Sequence, residues 1–432
     1  MKQPKITEMV RRFKNSVDPQ VLTKLGGSTG FVKRERTVTA ESMAVALLCA
    51  FSCHRVQTLA DLHRTFQAVS GRAISYKPFH NQLAKTEFPE FTRQVLCHLV
   101  SSLAMRVLEP LPQSVLARFD DILIQDGTPF AVHDALADRF PGRFTAFSPA
   151  AVELHVTMSL LDDRPVRIAL APDKEGERQF LPAPHTLRRK LVMADRGYDG
   201  VEYCRDVDAA GGHSIIRFKS AINPIIRFID VPESDPLHRL QGRKFKDVRK
   251  QFWGRNVDLD GVFKKRGTPI KLRAVLTWNP QLKQHRVLMT NLGRDEAPLD
   301  VVRALYRLRW QVELLFKEWK SYANLHRFAT TKAPIAEGLL WIAIAAAVLK
   351  RFFAHATQRL LGTVAISTRI AAMAANDFIR DLLVARGHAT RLRRAFTTLV
   401  QHLARVAPRD HPKRDKKTGR LAMRLTPLTD FP

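Results

Sequence analysis

Tyr306, Arg309, Glu313 and Lys320 stand within the run Leu305 to Lys320, at offsets of 3, 7 and 14 from the tyrosine. On one continuous helix turning about 100° per residue they fall at roughly 0°, 300°, 340° and 320°. An acid, two cations and a phenol then share a stripe about 60° wide. Such a stripe presents a carboxylate to a metal ion while the cations beside it hold a polyanion. A solvated helix face with an Arg309/Glu313 pair one turn apart fits the same spacing. Two further acids extend the chemistry. Asp126 follows Ile122-Leu-Ile-Gln and precedes Gly127-Thr128, and Asp195 follows Leu191-Val-Met-Ala. Both read as acids at strand ends. By residue number the three acids lie 69 and 118 positions apart, so only the tertiary fold can join them. Three carboxylates on rigid elements suit Mg²⁺, a hard cation that keeps waters for phosphate oxygens. Two such ions activate a water or a 3′-hydroxyl and stabilise the leaving oxygen of an in-line displacement. Arg196, Arg309 and Lys320 are the cations that would admit a phosphodiester. Taken singly, each Asp also reads as an ordinary turn acid. Asp120, Asp121, Asp162, Asp163 and Glu153 compete, and Asp126 is preferred because Gly-Thr leaves room beside it.

Bulk charge supplies a substrate class. The 432 residues carry 70 Lys and Arg against 41 Asp and Glu, a formal +29. An excess this large, spread along the chain, favours a polyanion, with nucleic acid ahead of a membrane surface. Cys49, Cys53, Cys97 and Cys204 form no C-x-x-C pair, and Cys53-His54 has no second ligand pair at zinc spacing. They are expected as buried thiols in a reducing compartment. The N-terminal stretch has no apolar core of a signal peptide. The longest apolar run, Leu339 to Leu349, falls short of the roughly 20 residues that span a bilayer and reads as a buried helix.

The elements that must position the acids follow from periodicity. Residues up to about 110 read as helical and basic. Thr58 to Phe66, Gly71, Ser75 and then Phe79 to Leu83 resemble a helix-turn-helix, with Arg72, Lys77, His80, Asn81 and Lys85 candidates to face DNA. Val115 to Asp126 reads as a strand, and Glu153 to Leu161 with Arg164 to Ala171 as a hairpin. A helical stretch over 177–187, a strand Lys190 to Asp195, a helix Tyr198 to Ala210 and a strand His213 to Lys219 complete a β, β, β, α, β, α, β order. Residues 220–295 read as β-rich, with strands at 224–229, 243–252, 257–265, 270–278 and 285–292. The Glu313 helix, an apolar helix over 334–353 and more helix to about 405 follow. The basic tail from 405 to 424 reads as partly disordered.

These motifs resemble a known family. The chain is similar to DDE transposases of the insertion-sequence-four family, which includes Tn-five-like transposases. Tyr306-x2-Arg309-x3-Glu313-x6-Lys320 matches that family's Y-R-E-K signature at every spacing. Asp126-Gly-Thr resembles its first-Asp motif and Asp195-Arg-Gly-Tyr198 its second, so the likeness covers roughly 115 to 350. The resemblance implies an α/β fold: an RNase H-like core, a mixed sheet flanked by helices, with a β-rich insertion and helical terminal regions. The expected organisation is a DNA-binding helical domain over 1–112 and a catalytic core over 113–219 and 296–352. The insertion takes 220–295, and a helical C-terminal region with the basic tail takes 353–432. Asp126, Asp195 and Glu313 would be the catalytic acids and would hold two Mg²⁺ ions, with Mn²⁺ able to substitute. Tyr306, Arg309, Lys320 and Arg196 would contact DNA. The implied partners are double-stranded element ends and target DNA, and a second copy of the chain when ends are paired. No membrane partner is implied, and the location would be the bacterial cytoplasm at the nucleoid. The family nicks element ends at terminal inverted repeats and joins the freed 3′-hydroxyl to target DNA. An RNase H-like nuclease, or a domesticated DNA-binding relative without strand transfer, is the alternative. Many members pass through a hairpin, with an aromatic of the insertion receiving a flipped base. Here Gln284-His-Arg286 precedes the last insertion strand without a Trp, and Trp253 and Trp278 are expected in the core.

Overall fold

A computed structural model of the chain describes residues 6–34, 37–53, 57–265, 268–322, 330–362, 364–409 and 425–427. Six helices come first: α1 Ile6–Ser16, α2 Pro19–Ser28, α3 Ala40–Cys53, α4 Leu59–Ser70, α5 Tyr76–Leu83 and α6 Phe88–Ser102. Thr58 caps α4 reciprocally with Asp61, which satisfies two otherwise orphaned amides, and Gly71 closes the helix in the left-handed region. Two helices joined by a short turn, α4 and α5, thus stand where they were expected. Arg72, Lys77 and Asn81 are exposed there, and His80 is partly so. Lys85 instead turns inward and donates to the Phe31 carbonyl at 2.8 Å.

A nine-stranded mixed sheet is the centre of the molecule. After the short β1 (Leu108–Pro110) come β2 Asp121–Ala131, β3 Ala151–Ser159, β4 Arg164–Pro172 and β5 Lys190–Ala194. Helix α7 (Val201–Ala209) leads to β6 His213–Phe218 and β7 Ile225–Ile229. The short α8 (Phe245–Val248) precedes β8 Val257–Lys265, β9 Thr268–Asn279 and β10 Gln284–Thr290. The spatial order is β4-β3-β2-β5-β6-β10-β9-β8-β7. Strands β2, β5 and β6 are parallel, and β3 and β4 are antiparallel to their neighbours. Three antiparallel strands extended by two parallel ones form the mixed sheet of an RNase H-like core. The insertion strands β7 to β10 do not stand apart. β10 pairs antiparallel with β6, Val287 opposite Phe218 through Thr290 opposite Ile215, and continues the same sheet.

Helices α9 Leu299–Arg307 and α10 Trp310–Tyr322 follow the sheet, then α11 Ala333–Leu361, α12 Thr368–Ala374, α13 Asn376–Ala385 and α14 Ala389–Val406. A last strand, β11 (Leu425–Pro427), pairs with β1. Helix α11 is far longer than its 11-residue apolar kernel, at 29 residues. By length and composition it is able to cross a membrane, but 78% of its most apolar window is buried inside the protein. It packs mainly on α6 and α3. One apolar cluster runs from Met9 through the strands to Ala407, so the N-terminal helices, the core and the C-terminal helices share a single interior.

Several local expectations change. Residues 115–118 form a 3₁₀ turn, and β2 begins at Asp121 and runs five residues past Asp126. The pairing explains this. The ladder to β5 ends at Gln125 opposite Ala194, but the ladder to β3 continues to Ala131 opposite Ala151. Pro129, with no amide to donate, falls where only one neighbour remains. The 177–187 helix is two 3₁₀ turns. Within segment 243–252, Lys244 makes only an isolated bridge to Ile225, and residues 245–252 form a short helix and a 3₁₀ turn rather than a strand. Trp253 is half-exposed rather than core, with Trp278 6.0 Å from it and His285 against Trp278. Cys49 and Cys204 are buried, whereas Cys53 is intermediate and Cys97 exposed, and all four are free thiols. The basic tail lies almost wholly outside the described residues.

Candidate active site

The parallel strands bring two of the acids together. Gln125 lies opposite Ala194, so the next residues, Asp126 and Asp195, emerge side by side where β5 stops. Side chains alternate along strands, so Asp126 shares a sheet face with Ile124 and Phe130. That face carries α10.

Glu313 arrives from α10, but not on the continuous helix its spacing suggests. Helix α9 ends at Arg307, and α10 starts at Trp310. Between them the amides of Leu308, Arg309, Gln311 and Val312 bond three residues back, at 2.9 to 3.2 Å. The chain tightens into 3₁₀ geometry at Arg309, so the single 60° stripe is not the arrangement found. Tyr306, Arg309 and Glu313 nevertheless converge, because Arg309 reaches across the gap. Its guanidinium donates to Asp126 Oδ2 at 2.5 Å and also to Glu313 Oε1. The Tyr306 hydroxyl donates to Asp195 Oδ1 at 3.1 Å.

Lys320 stands further out. It is exposed, and its ammonium lies 5.1 Å from the centre of the Phe130 ring, at the far end of β2. Arg196 is exposed and presents no side chain to the acids, although its backbone amide bonds Asp195. Arg217 on β6, which the sequence did not single out, approaches Asp195 Oδ1 at 3.4 Å.

Electrostatics divide the acids. Burial pushes Asp126 up to about 6, helped by repulsion from Asp195 and Glu313 and opposed by Arg309. Asp195 lies below the usual carboxylate range. Burial opposes that, but the Arg196 amide, Arg309, Arg217 and Tyr306 outweigh it. Burial also pushes the Tyr306 hydroxyl up and the Lys320 ammonium down. Arg309 is raised: burial works against the cation, and the surrounding acids overcome it.

The opposite face of β2 and β3 carries a second polar set. Strand β3 is buried along its whole length, yet Glu153, His155, Thr157 and Ser159 alternate with Val152, Leu154, Val156 and Met158. Thr157 donates to Gln125 at 2.6 Å and Ser159 to Asp121 at 2.8 Å. The Tyr198 hydroxyl lies 3.3 Å from His155 Nδ1. Arg143 spans Glu153 at 3.2 Å and Glu177 at 3.5 Å. A Cβ at Gly127 would lie 2.5 Å from Glu153 Oε1 and 3.2 Å from His155 Nδ1, so the Gly after Asp126 leaves room for the second layer rather than for the Asp126 carboxylate. A buried strand polar at every second position was the legible signal for this layer.

The donor set suits a hard divalent cation: three carboxylates from three elements, with an excess of negative charge. Among the described residues no three acidic, His or Cys side chains stand close enough together to hold a metal as they are. Arg309 bridges Asp126 and Glu313 instead.

A mixed sheet whose parallel strands gather two acids against a Y-R-E helix pair defines a DDE-type nucleotidyl-transfer fold. The transposase DDE domain family matches residues 117–349, more than half of the chain. The chain belongs to this family of DDE transposases, enzymes of metal-dependent DNA cleavage and transfer. It is 22% identical over 349 residues to the transposase for insertion sequence element IS231C of Bacillus thuringiensis, covering 73% of each chain. It is 20% identical over 364 residues to that for IS1151 of Clostridium perfringens, covering 76% of each. A cryo-EM structure of the piggyBac transposase synaptic complex with hairpin DNA aligns with TM-score 0.46 and 12% identity, over 94% of this chain and 86% of that one.

Proposed function

We propose that this transposase binds the terminal inverted repeats of an insertion sequence, cleaves the ends and joins the freed 3′-hydroxyl to target DNA. The observation that supports it most is Arg309, which gathers Asp126 and Glu313 beside Asp195 from three separate elements. Asp126, Asp195 and Glu313 are the residues that would hold two Mg²⁺ ions, or Mn²⁺. When bound, these ions supply a deprotonated water or 3′-hydroxyl and stabilise the leaving oxygen.

The chain's own residues do the rest. Arg309 moves from the carboxylates to a phosphate oxygen, a shift that matches its fork of donors to either anion. Asp126, whose carboxyl burial raises to about 6, must be ionised to serve as a ligand. Tyr306 orients Asp195 through its hydroxyl. Lys320 and Arg196, both exposed, take up flanking phosphates. The α4–α5 pair, with Arg72, Lys77, His80 and Asn81, would read the repeat, and the helical region beyond 353 would pair two protomers. The expected site of action is the bacterial nucleoid.

Purified protein, a labelled element end, Mg²⁺ and a target plasmid test this. Joined product is expected with the wild type, and end binding without cleavage for Asp126→Asn, Asp195→Asn and Glu313→Gln. Nicked ends with no joined product would instead make the chain an RNase H-like nuclease. A triad variant with full strand transfer would remove that residue from the site.

A further inference from the structure

Glu318 follows Glu313 on α10 by five residues, so the two carboxylates leave the helix about 140° apart. Glu313 is tied to Asp126 through Arg309. Glu318 turns instead to α11 and α12. One of its oxygens accepts from the Arg351 guanidinium of α11, and the other from the Thr368 hydroxyl at the start of α12. Arg351 carries the tie onward. Its Nε donates to the Asp163 carbonyl at 2.6 Å, and its Nη2 lies 2.9 Å from the Asp163 carboxylate. His355, one turn along α11, lies 3.3 Å from the same carbonyl. Asp163 stands in the turn between β3 and β4 at φ 49°. Strand β3 is the neighbour of β2 and sets Val156 opposite Asp126. Asp163, His355 and Arg351 are only 2%, 6% and 7% exposed, so the cluster is an interior one.

These bonds join the helix of Glu313 to the hairpin beside Asp126. Taking charges out of water is costly, and apolar side chains of like volume often hold a fold as well. What an ion cluster adds is register, because its bonds have fixed partners and directions. Helix α10 needs register. Its buried side is Val312, Leu315, Phe316 and Trp319. Apolar burial has no preferred direction, so it defines the rotation of the helix less sharply than fixed bonds do. Glu318 lies about 7.5 Å along the axis from Glu313, close enough for a lock at one to set the other.

We propose that Arg351, Glu318 and Thr368 are positioning residues for DNA cleavage. They fix α10 against the β3–β4 turn and so keep Glu313 within reach of Asp126 and Asp195 as a metal ligand. None of the three touches the acids. The inference rests on the reading of Asp126, Asp195 and Glu313 as the residues that hold the metal.

The test uses the full chain in two assays, each run below the melting temperature of every variant. Mn²⁺ binding is followed by loss of the free-ion EPR signal, and cleavage of a labelled element end by a Mg²⁺ series at saturating DNA. Glu318→Ala should raise the Kd for Mn²⁺ and the Mg²⁺ needed for half-maximal cleavage, each on the order of tenfold. Its kcat should fall by about tenfold or more. Metal-free affinity for the element end should stay at the wild-type value, because phosphate contacts set it. Thr368→Val removes one bond and should move the same quantities in the same direction by less. Glu318→Gln still accepts from Arg351 and should recover most of the wild-type metal response. Asp258→Ala breaks a buried pair with Arg273 in the insertion, and should lower the melting temperature without moving either metal midpoint. Unshifted metal midpoints in Glu318→Ala and Thr368→Val, with only the melting temperature lowered, overturn the proposal. So does an equal shift in Asp258→Ala. Should Glu318→Ala not fold, unshifted midpoints in Thr368→Val overturn it alone. If Glu313→Gln leaves Mn²⁺ binding intact, the reading of the metal site fails first and the proposal with it. If Mn²⁺ binding shifts as expected but the wild type cuts no element end, the positioning role stands and the reading as an end-cleaving transposase fails.

Discussion

Two arginine–carboxylate clusters sit in the same sheet and do opposite work. In the insertion, Asp258 on β8 is 2% exposed and takes three short contacts from Arg273, which is 5% exposed, plus one from Arg294 at 2.9 Å. Arg273 also donates to the Leu292 carbonyl, and Arg294 bonds Asp260. Two acids meet two cations; the Asp258–Arg273 pair is sealed from water, while Arg294 and Asp260 at its rim stay partly exposed. Around Arg309 the balance differs. Three acids share Arg309 and the more distant Arg217, and the carboxylates of Asp126, Asp195 and Glu313 keep 17%, 30% and 27% of their exposure. The first cluster has no charge to offer a ligand. The second is short of positive charge and open on one side, as a site for cations and phosphates must be.

The comparison breaks most sharply by removing acids. Asp195→Asn, Asp126→Asn or Glu313→Gln should reduce DNA cleavage to background while the melting temperature holds or rises, measured on the same preparations. Asp258→Ala should do the reverse. It strands Arg273 in the interior at a cost of about 3–5 kcal/mol, so thermal melting falls by several degrees while the folded fraction still cleaves. If Asp258→Ala left stability unchanged, the two clusters would not differ in the way described.

The polar layer behind Asp126 offers a pH test. Burial, with repulsion from Glu177, pushes Glu153 up to about 7 from an ordinary 4.5. Between those values the folded protein keeps a proton that the unfolded chain has lost. Its contribution to stability is therefore greatest at low pH and declines until about pH 7. Glu153→Gln should stabilise the protein by about 1–3 kcal/mol at pH 8, and the gain should vanish toward pH 4.5 in denaturant titrations. The smallest effect belongs to Lys320. Lys320→Ala should lower the slope of log affinity for element ends against log salt by about 1. Cleavage chemistry on saturating DNA should persist, because Lys320 touches Phe130 and not the acids.

Much of this was legible in the chain. Hydrophobic alternation marked β3 through β6, and the +29 charge pointed to DNA. The spacing of Tyr306, Arg309 and Glu313 pointed to one site even though the helix breaks between Arg307 and Trp310. It survived the break because a tightened turn shifts direction by little, and the long Arg309 side chain covers the rest. Lys320, a further eleven residues on, did not stay with the acids. The helical turns from 245 to 252 read as a strand in the sequence because basic residues mixed with Phe and Val suit either period.

Residue types, their order and local periodicity determined which side chains are candidates for chemistry and most of the elements that hold them. Tertiary structure alone decided that Arg309 bridges Asp126 and Glu313, that Arg217 joins Asp195, and that Gly127 serves Glu153. It alone made the insertion part of the central sheet. Those outcomes depend on strand register and on contacts between residues about a hundred positions or more apart for β2 and α10. No local pattern encodes such contacts, because each is set by which ladder ends first and which face the next helix covers.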